Sequence, residues 1–187
     1  MIAEEIQKRI YTVEEYLELE KSSEVKHEFV DGIIIEMPGE PKKANKIAGN
    51  IYMTLRLGVK GKSFEVYNHD LKLLTIPGRK YRYPDIMVAP ADDNDDDTHV
   101  VNRAVVTVEV TSENSSGVDH DEKFHEYIGM PSVECYLIVS QAEWLIEVYQ
   151  RTGTKWEYAF YTELIESFEI RALGITMKVS DVYEGLV

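Results

Sequence analysis

Three acidic residues stand in stretches that otherwise read as buried strand: Glu28, Asp85 and Glu109. A bare carboxylate in apolar surroundings is costly unless something pairs with it. Glu109 is the sharpest case, since VVTVEVTS is a β-branched run of the kind buried on both faces of a sheet. By the two-residue period of a strand, Thr107, Glu109 and Thr111 share one face, and Asp85 shares its own face with Tyr83 and Met87. If the two strands pair, Asp85 and Glu109 converge. Two carboxylates close together raise each other's pKa unless a cation lies between them. A hard divalent ion such as Mg²⁺ (or Mn²⁺) suits them, because it takes oxygen ligands and keeps waters. Lys123 lies one helical turn before Tyr127, at the margin of the apolar face formed by Phe124, Tyr127 and Ile128. From there it can reach such a site, position a water and balance charge on an attacked phosphodiester. Competing readings are structural. Asp85 caps the turn after Pro84, Glu109 pairs with a core arginine or lysine, and Lys123 pairs with Asp119 along its helix.

Other chemistries lack their residues. The histidines form no H-E-x-x-H, and the lone Cys135 supports neither a cysteine-rich zinc site nor an internal disulfide. There is no glycine-rich phosphate loop and no G-x-S-x-G. Asp93, Asp95 and Asp97 alternate like a calcium loop, but Thr98 and Ala104 stand where that loop needs Gly and Glu, so the segment reads as an exposed acidic turn.

The elements that must carry these residues are legible as local pattern. Thr12-x-x-Glu15 has capping-box spacing for a helix running to about Lys21. Asp31-Gly32 between two β-rich runs predicts a tight hairpin. Apolar residues from Ala44 to Val59 recur at helical spacing. Strands are expected at 63–67, 69–76, 81–89 and over RAVVTVEVTS. A helix capped by Asp119 follows, ending at Gly129 and Pro131. CYLIVS, LIEVYQ and KWEYAFY then form a meander, and the tail adds one more strand and a short helix. This gives an α/β (α+β) fold in one domain over 1–187: a central mixed β-sheet flanked by helices, with an N-terminal hairpin and a C-terminal antiparallel extension.

The net charge of −14 argues against a general nucleic-acid binder, yet residues 41–64 contain no Asp or Glu. That segment carries Lys42, Lys43, Lys46, Arg56, Lys60 and Lys62, and Arg79, Lys80 and Arg82 precede Asp85. Such a basic stripe on an acidic body suits a phosphate backbone, while a solvated helix face is the plain alternative. The first residues carry no signal-peptide pattern and no apolar run reaches membrane-helix length, so a cytoplasmic protein is expected.

The succession of Glu28, Pro84-Asp85, Glu109-Val110-x-Ser112 and Asp119-x-x-x-Lys123-x-x-x-Tyr127 resembles the bacterial "putative restriction endonuclease" family, a former domain of unknown function in the PD-(D/E)XK nuclease-like superfamily. YTVEEYLELE, HEFVDGIIIEMPG, GMPSVECYLIVSQ and ITMKVSDVYEGLV extend the resemblance nearly end to end. It implies a restriction-endonuclease-like core that hydrolyses nucleic acid, most simply DNA, with Mg²⁺ or Mn²⁺. It implies Asp85, Glu109 and the Val110 carbonyl as metal ligands, Lys123 as the catalytic lysine and Glu28 as completing the site. Lys42, Lys43, Lys46, Arg56, Arg79 and Arg82 are then expected to meet the phosphates, and a homodimer is expected. There are two departures. Thr111 stands where the superfamily pattern has lysine, and Asn45 where the family often has histidine. A non-catalytic interaction module that keeps the fold is the alternative function.

Overall fold

The computed structural model describes residues 9–37, 39–93, 99–112 and 116–186. Helix α1 (Val13–Ser22) begins with the expected capping box, Glu15 N–H donating to Thr12 Oγ1 at 3.2 Å and Thr12 N–H to the Glu15 carboxylate at 2.9 Å. It buries Tyr16 on Phe29, with ring centroids 5.0 Å apart. Strands β1 (His27–Val30) and β2 (Ile33–Glu36) form the hairpin. Its corner has φ +50° at Asp31 and +88° at Gly32, as a two-residue type I′ turn requires. Helix α2 (Lys42–Gly58) follows, then β3 (Phe64–Asn68) and β4 (Lys72–Ile76).

The single strand expected over 81–89 is instead two. Strands β5 (Lys80–Arg82) and β6 (Ile86–Pro90) flank Tyr83-Pro84-Asp85 and belong to different sheets. Proline offers no N–H to a ladder, so the chain leaves one sheet there and enters the next. After β7 (Val100–Val101), strand β8 (Val106–Thr111) is buried along its whole length. The expected exposed acidic turn falls partly outside the described residues; within it Asp92 is exposed, but Asp93 buries its side chain, and both pair with Arg103.

The helix expected from Asp119 is two pieces, α3 (Ser116–His120) and α4 (Glu122–Gly129). Asp121 stands at the α4 N-cap without a side-chain capping bond. Strands β9 (Cys135–Ser140), β10 (Ile146–Thr152) and β11 (Lys155–Tyr161) form the meander. A separate pair, β12 (Ser167–Ile170) and β13 (Ile175–Lys178), precedes α5 (Val179–Val182).

Among the described residues three sheets result, in the orders β2-β1-β5-β4-β7, β11-β10-β9-β8-β6-β3 and β12-β13. The six-stranded sheet is mixed, because β8 and β9 run parallel around the α3–α4 crossover. One of its faces packs Val106, Val108 and Leu137 against Ile47, Ile51 and Leu55 of α2. The other packs Met87, Tyr136 and Ile138 against Tyr127 of α4. A helix therefore covers each face, as expected, and Glu109 points into the α4 side of the strand alternation.

Candidate active site

Asp85 sits where the chain passes between the two large sheets. The register Ile86↔Val108 of antiparallel β6 and β8 brings it opposite the Glu109–Val110 end of β8. The Val110 N–H donates to Asp85 Oδ2 at 2.6 Å. In an antiparallel ladder a residue's N–H and C=O face the same neighbour, so the Val110 carbonyl is directed to the same side.

Lys123 turns inward. It is 8% exposed, with Nζ 3.0 Å from Glu109 Oε2 and 3.6 Å from Glu28 Oε1. The four-residue step to fully buried Tyr127 explains this, because both side chains share one face of α4. The Asp119 side chain, its alternative partner, lies outside the described residues. Tyr127 donates its hydroxyl to Glu109 Oε1 at 2.7 Å. Burial pushes that phenol well up, so it stays protonated as a donor. Tyr127 and Lys123 thus approach different oxygens of the Glu109 carboxylate and fix its orientation.

Glu28 is held from behind by Arg82, whose Nη1 is 2.7 Å from Glu28 Oε2. Arg82 also forks onto Glu126, at 3.0 Å from Nε and 2.6 Å from Nη2, and reaches Glu122 at 3.1 Å. Its side chain is 1% exposed. The expectation that Arg82 meets phosphate is therefore corrected, since its buried guanidinium is consumed by the carboxylates of Glu28, Glu126 and Glu122. Arg79 is exposed but forks onto Asp31 at 2.6–2.7 Å. Lys42, Lys43, Lys46 and Arg56 are exposed on α2. Lys46 donates to the Gly185 carbonyl at 2.6 Å, and Arg56 lies 3.5 Å from Glu65.

Sequence reasoning missed two residues beside Asp85. His69 Nδ1 lies 3.0 Å from Glu40 Oε1 and 3.9 Å from Asp85 Oδ1. They come from a loop before α2 and the β3–β4 turn, at spacings that match no motif, so no local signal marks them. Burial pushes the Asp85 carboxyl up to about 7, reinforced by Glu40, while the Val110 N–H and the Lys123 charge pull the other way. The bond to Glu40 holds His69 above its ordinary pKa, and the same bond holds Glu40 below its own. A cleft of about 680 Å³ opens here, lined by Lys26, Glu40, Lys42, Asn45, His69 and Asp85 among others. Glu109 and Lys123 do not line it; they lie buried behind Asp85. A largely buried carboxylate at the cleft wall, with a second acid on the neighbouring strand and a backbone carbonyl directed to it, is a donor set that fits a hard divalent cation.

A mixed sheet with an aspartate at the entry to β6, a glutamate on neighbouring β8, and a lysine from the crossover helix turned onto that glutamate is a restriction-endonuclease-like arrangement. The model of the Uma2 family, described as "Putative restriction endonuclease", matches residues 13–180, and the chain belongs to that family. Two uncharacterized proteins of Synechocystis are similar to it. One is 30% identical over 149 residues, covering 79% of this chain and 84% of the relative. The other is 28% identical over 174 residues, covering 92% and 91%. The crystal structure of a "putative nuclease belonging to DUF820" from Anabaena variabilis shares the fold, with TM-score 0.76 and 17% identity over 94% of this chain and 99% of that one. Among the described residues no helix is long and apolar enough to cross a membrane.

Proposed function

We propose that the chain is a single-domain, divalent-metal-dependent endonuclease that hydrolyses phosphodiester bonds of DNA. The observation that carries this is Lys123 Nζ turned onto Glu109 at 3.0 Å while Asp85 is tied to Val110 of the same strand. Asp85, Glu109 and the Val110 carbonyl would hold the cation, Mg²⁺ or Mn²⁺. Once bound, the ion supplies positive charge for the phosphoryl oxygens. Lys123, steadied by Glu28 and Glu109, orients the attacking water and balances charge as it develops. Tyr127 fixes Glu109, and Arg82 fixes Glu28.

Lys42 at the cleft and Lys43 beside it would meet the phosphate backbone, at a helix start whose first turn carries no acid. A homodimer would present two such helices to one duplex. Buried Cys135, its thiol pushed up to about 12 by burial, suits a reducing cytoplasm and is inert there.

The test is cleavage of plasmid DNA with Mg²⁺ or Mn²⁺ by wild type, Asp85→Ala and Lys123→Met. Both variants are expected to lose at least about 100-fold in rate. Equal cleavage by all three would assign the activity to a contaminant or another site. A second reading, an interaction module that keeps the fold without cleaving, is favoured by the burial of Glu109 and Lys123 and by Thr111 in the lysine position. Salt-sensitive DNA binding with no cleavage under any metal would select it.

A further inference from the structure

The two oxygens of Asp85 face different surroundings. Oδ2 accepts from Val110, toward the buried Glu109–Lys123 pair, while Oδ1 faces His69 and Glu40 in the open cleft. One donor atom from each of Glu40, His69 and Asp85 lies within 4.8 Å of the others. We propose that Glu40, His69 and Asp85 form a binding site for a first-row transition-metal dication, held by one imidazole nitrogen and two carboxylates, on the cleft side of Asp85. The imidazole sets the chemistry. Mg²⁺ favours all-oxygen ligands in octahedral geometry, whereas a nitrogen donor shifts preference toward the later dications.

Two features support the site. His69 is one of two non-glycine residues with positive φ among those described, at +49°. The other, Asp31, is explained by its hairpin. At His69 the strained backbone is pinned by its N–H to the Asp85 carbonyl at 3.1 Å, which aims the imidazole at the two carboxylates. Glu40 is also partly open to the cleft, with 31% of its side chain exposed, which gives an ion a path in. Lys26 opposes binding with its own charge, but its ammonium is engaged by Asp70 and the His69 carbonyl. Ligation needs the imidazole nitrogen and both carboxylates free of protons, so binding weakens at low pH.

The site rests on the nuclease reading only through its shared use of Asp85. The probe is Co²⁺, whose visible absorption band reports imidazole and carboxylate ligation, titrated alongside Mg²⁺ by calorimetry. Wild type should bind Co²⁺ at least about tenfold tighter than Mg²⁺, a difference of about 1.4 kcal/mol. His69→Asn, which tolerates the left-handed backbone, and Glu40→Gln should each weaken Co²⁺ by about tenfold or more while unfolding as cooperatively as wild type. Unchanged Co²⁺ affinity in both variants overturns the proposal. So does a band lost in Glu109→Gln but kept in His69→Asn, which would put the ion between Asp85 and Glu109. Wild-type cleavage with Mg²⁺ is measured separately. Cleavage without a Co²⁺ band sinks this site and leaves the nuclease reading standing. A His69-dependent band without cleavage does the reverse.

Discussion

Without a bound cation, the Asp85 carboxyl should oppose folding as pH rises. Its folded pKa, about 7, lies above the ordinary 3.8. The folded state therefore keeps a proton the unfolded chain has lost, and stability declines as pH rises from about 4 to about 7. His69 has the same sign, because its raised pKa gives stability that is present below 6.5 and lost as pH climbs through the folded value. Glu40 is lowered, so its contribution is lost only below its ordinary 4.5. The metal-free protein should thus lose thermal stability from about pH 5 to about pH 8. Asp85→Asn should flatten that slope and raise stability at pH 8 by about 1–2 kcal/mol while abolishing cleavage, since the amide oxygen still accepts from Val110. Melting curves of both proteins in chelator, across that range, decide it. Parallel slopes would mean that Asp85 is not the group that titrates. At this scale Asp85 and Glu109 stand out in the sequence because each interrupts an apolar pattern, and Lys123 because it lies one helical turn before Tyr127. The sequence hid Arg82, Glu40 and His69, because a charged residue near a turn looks the same in sequence whether buried or solvated.

Elements were legible where their causes are local. The Thr12 cap, the Asp31-Gly32 corner and the β-branched β8 each lie within a few residues of the signal that predicts them. Pro84 marks where 81–89 divides, but the sheet each half joins was not legible, because that depends on pairing with β1 and β4 for one half and β3 and β8 for the other. Helix α2 tests how far local rules extend. Gly49 lies on its exposed face, where an added Cβ meets nothing within 4 Å. Gly49→Ala should stabilise by about 0.5–1 kcal/mol through helix propensity alone. At Gly58 a Cβ would come within 2.6 Å of Ile175 Cδ1 and 2.8 Å of Cγ1. Ile175 is buried in β13, and its branched side chain has little freedom to move. Gly58→Ala should therefore destabilise by about 1 kcal/mol, overpacking outweighing propensity at the helix end. Urea unfolding of the two variants gives opposite signs if α2 seats on β13 in this way. A stabilising Gly58→Ala would mean that the contact yields freely.

At the scale of the whole molecule, a net charge of −14 must be reconciled with the proposed polyanionic substrate. The acid-free segment 41–64 resolves this if α2 approaches the duplex first and the rest of the surface repels it. Approach is then oriented by the field as well as by contact. Lys42 and Lys43, exposed at the start of α2, carry the prediction best, since Lys46 and Arg56 already have partners. Each phosphate contact contributes about −0.9 to the slope of log affinity against log salt. Changing Lys42 and Lys43 together to glutamine should weaken DNA binding and make the slope shallower by about 1–2. Changing Lys21 and Lys155 to glutamine removes the same charge from exposed positions outside the cleft. That control shifts affinity through the general field alone and leaves the slope almost unaltered. Fluorescence anisotropy of a labelled duplex in chelator, over a salt series, separates the two pairs without requiring cleavage. Equal slopes for both would mean that the basic stripe is a solvated helix face and that DNA approaches elsewhere.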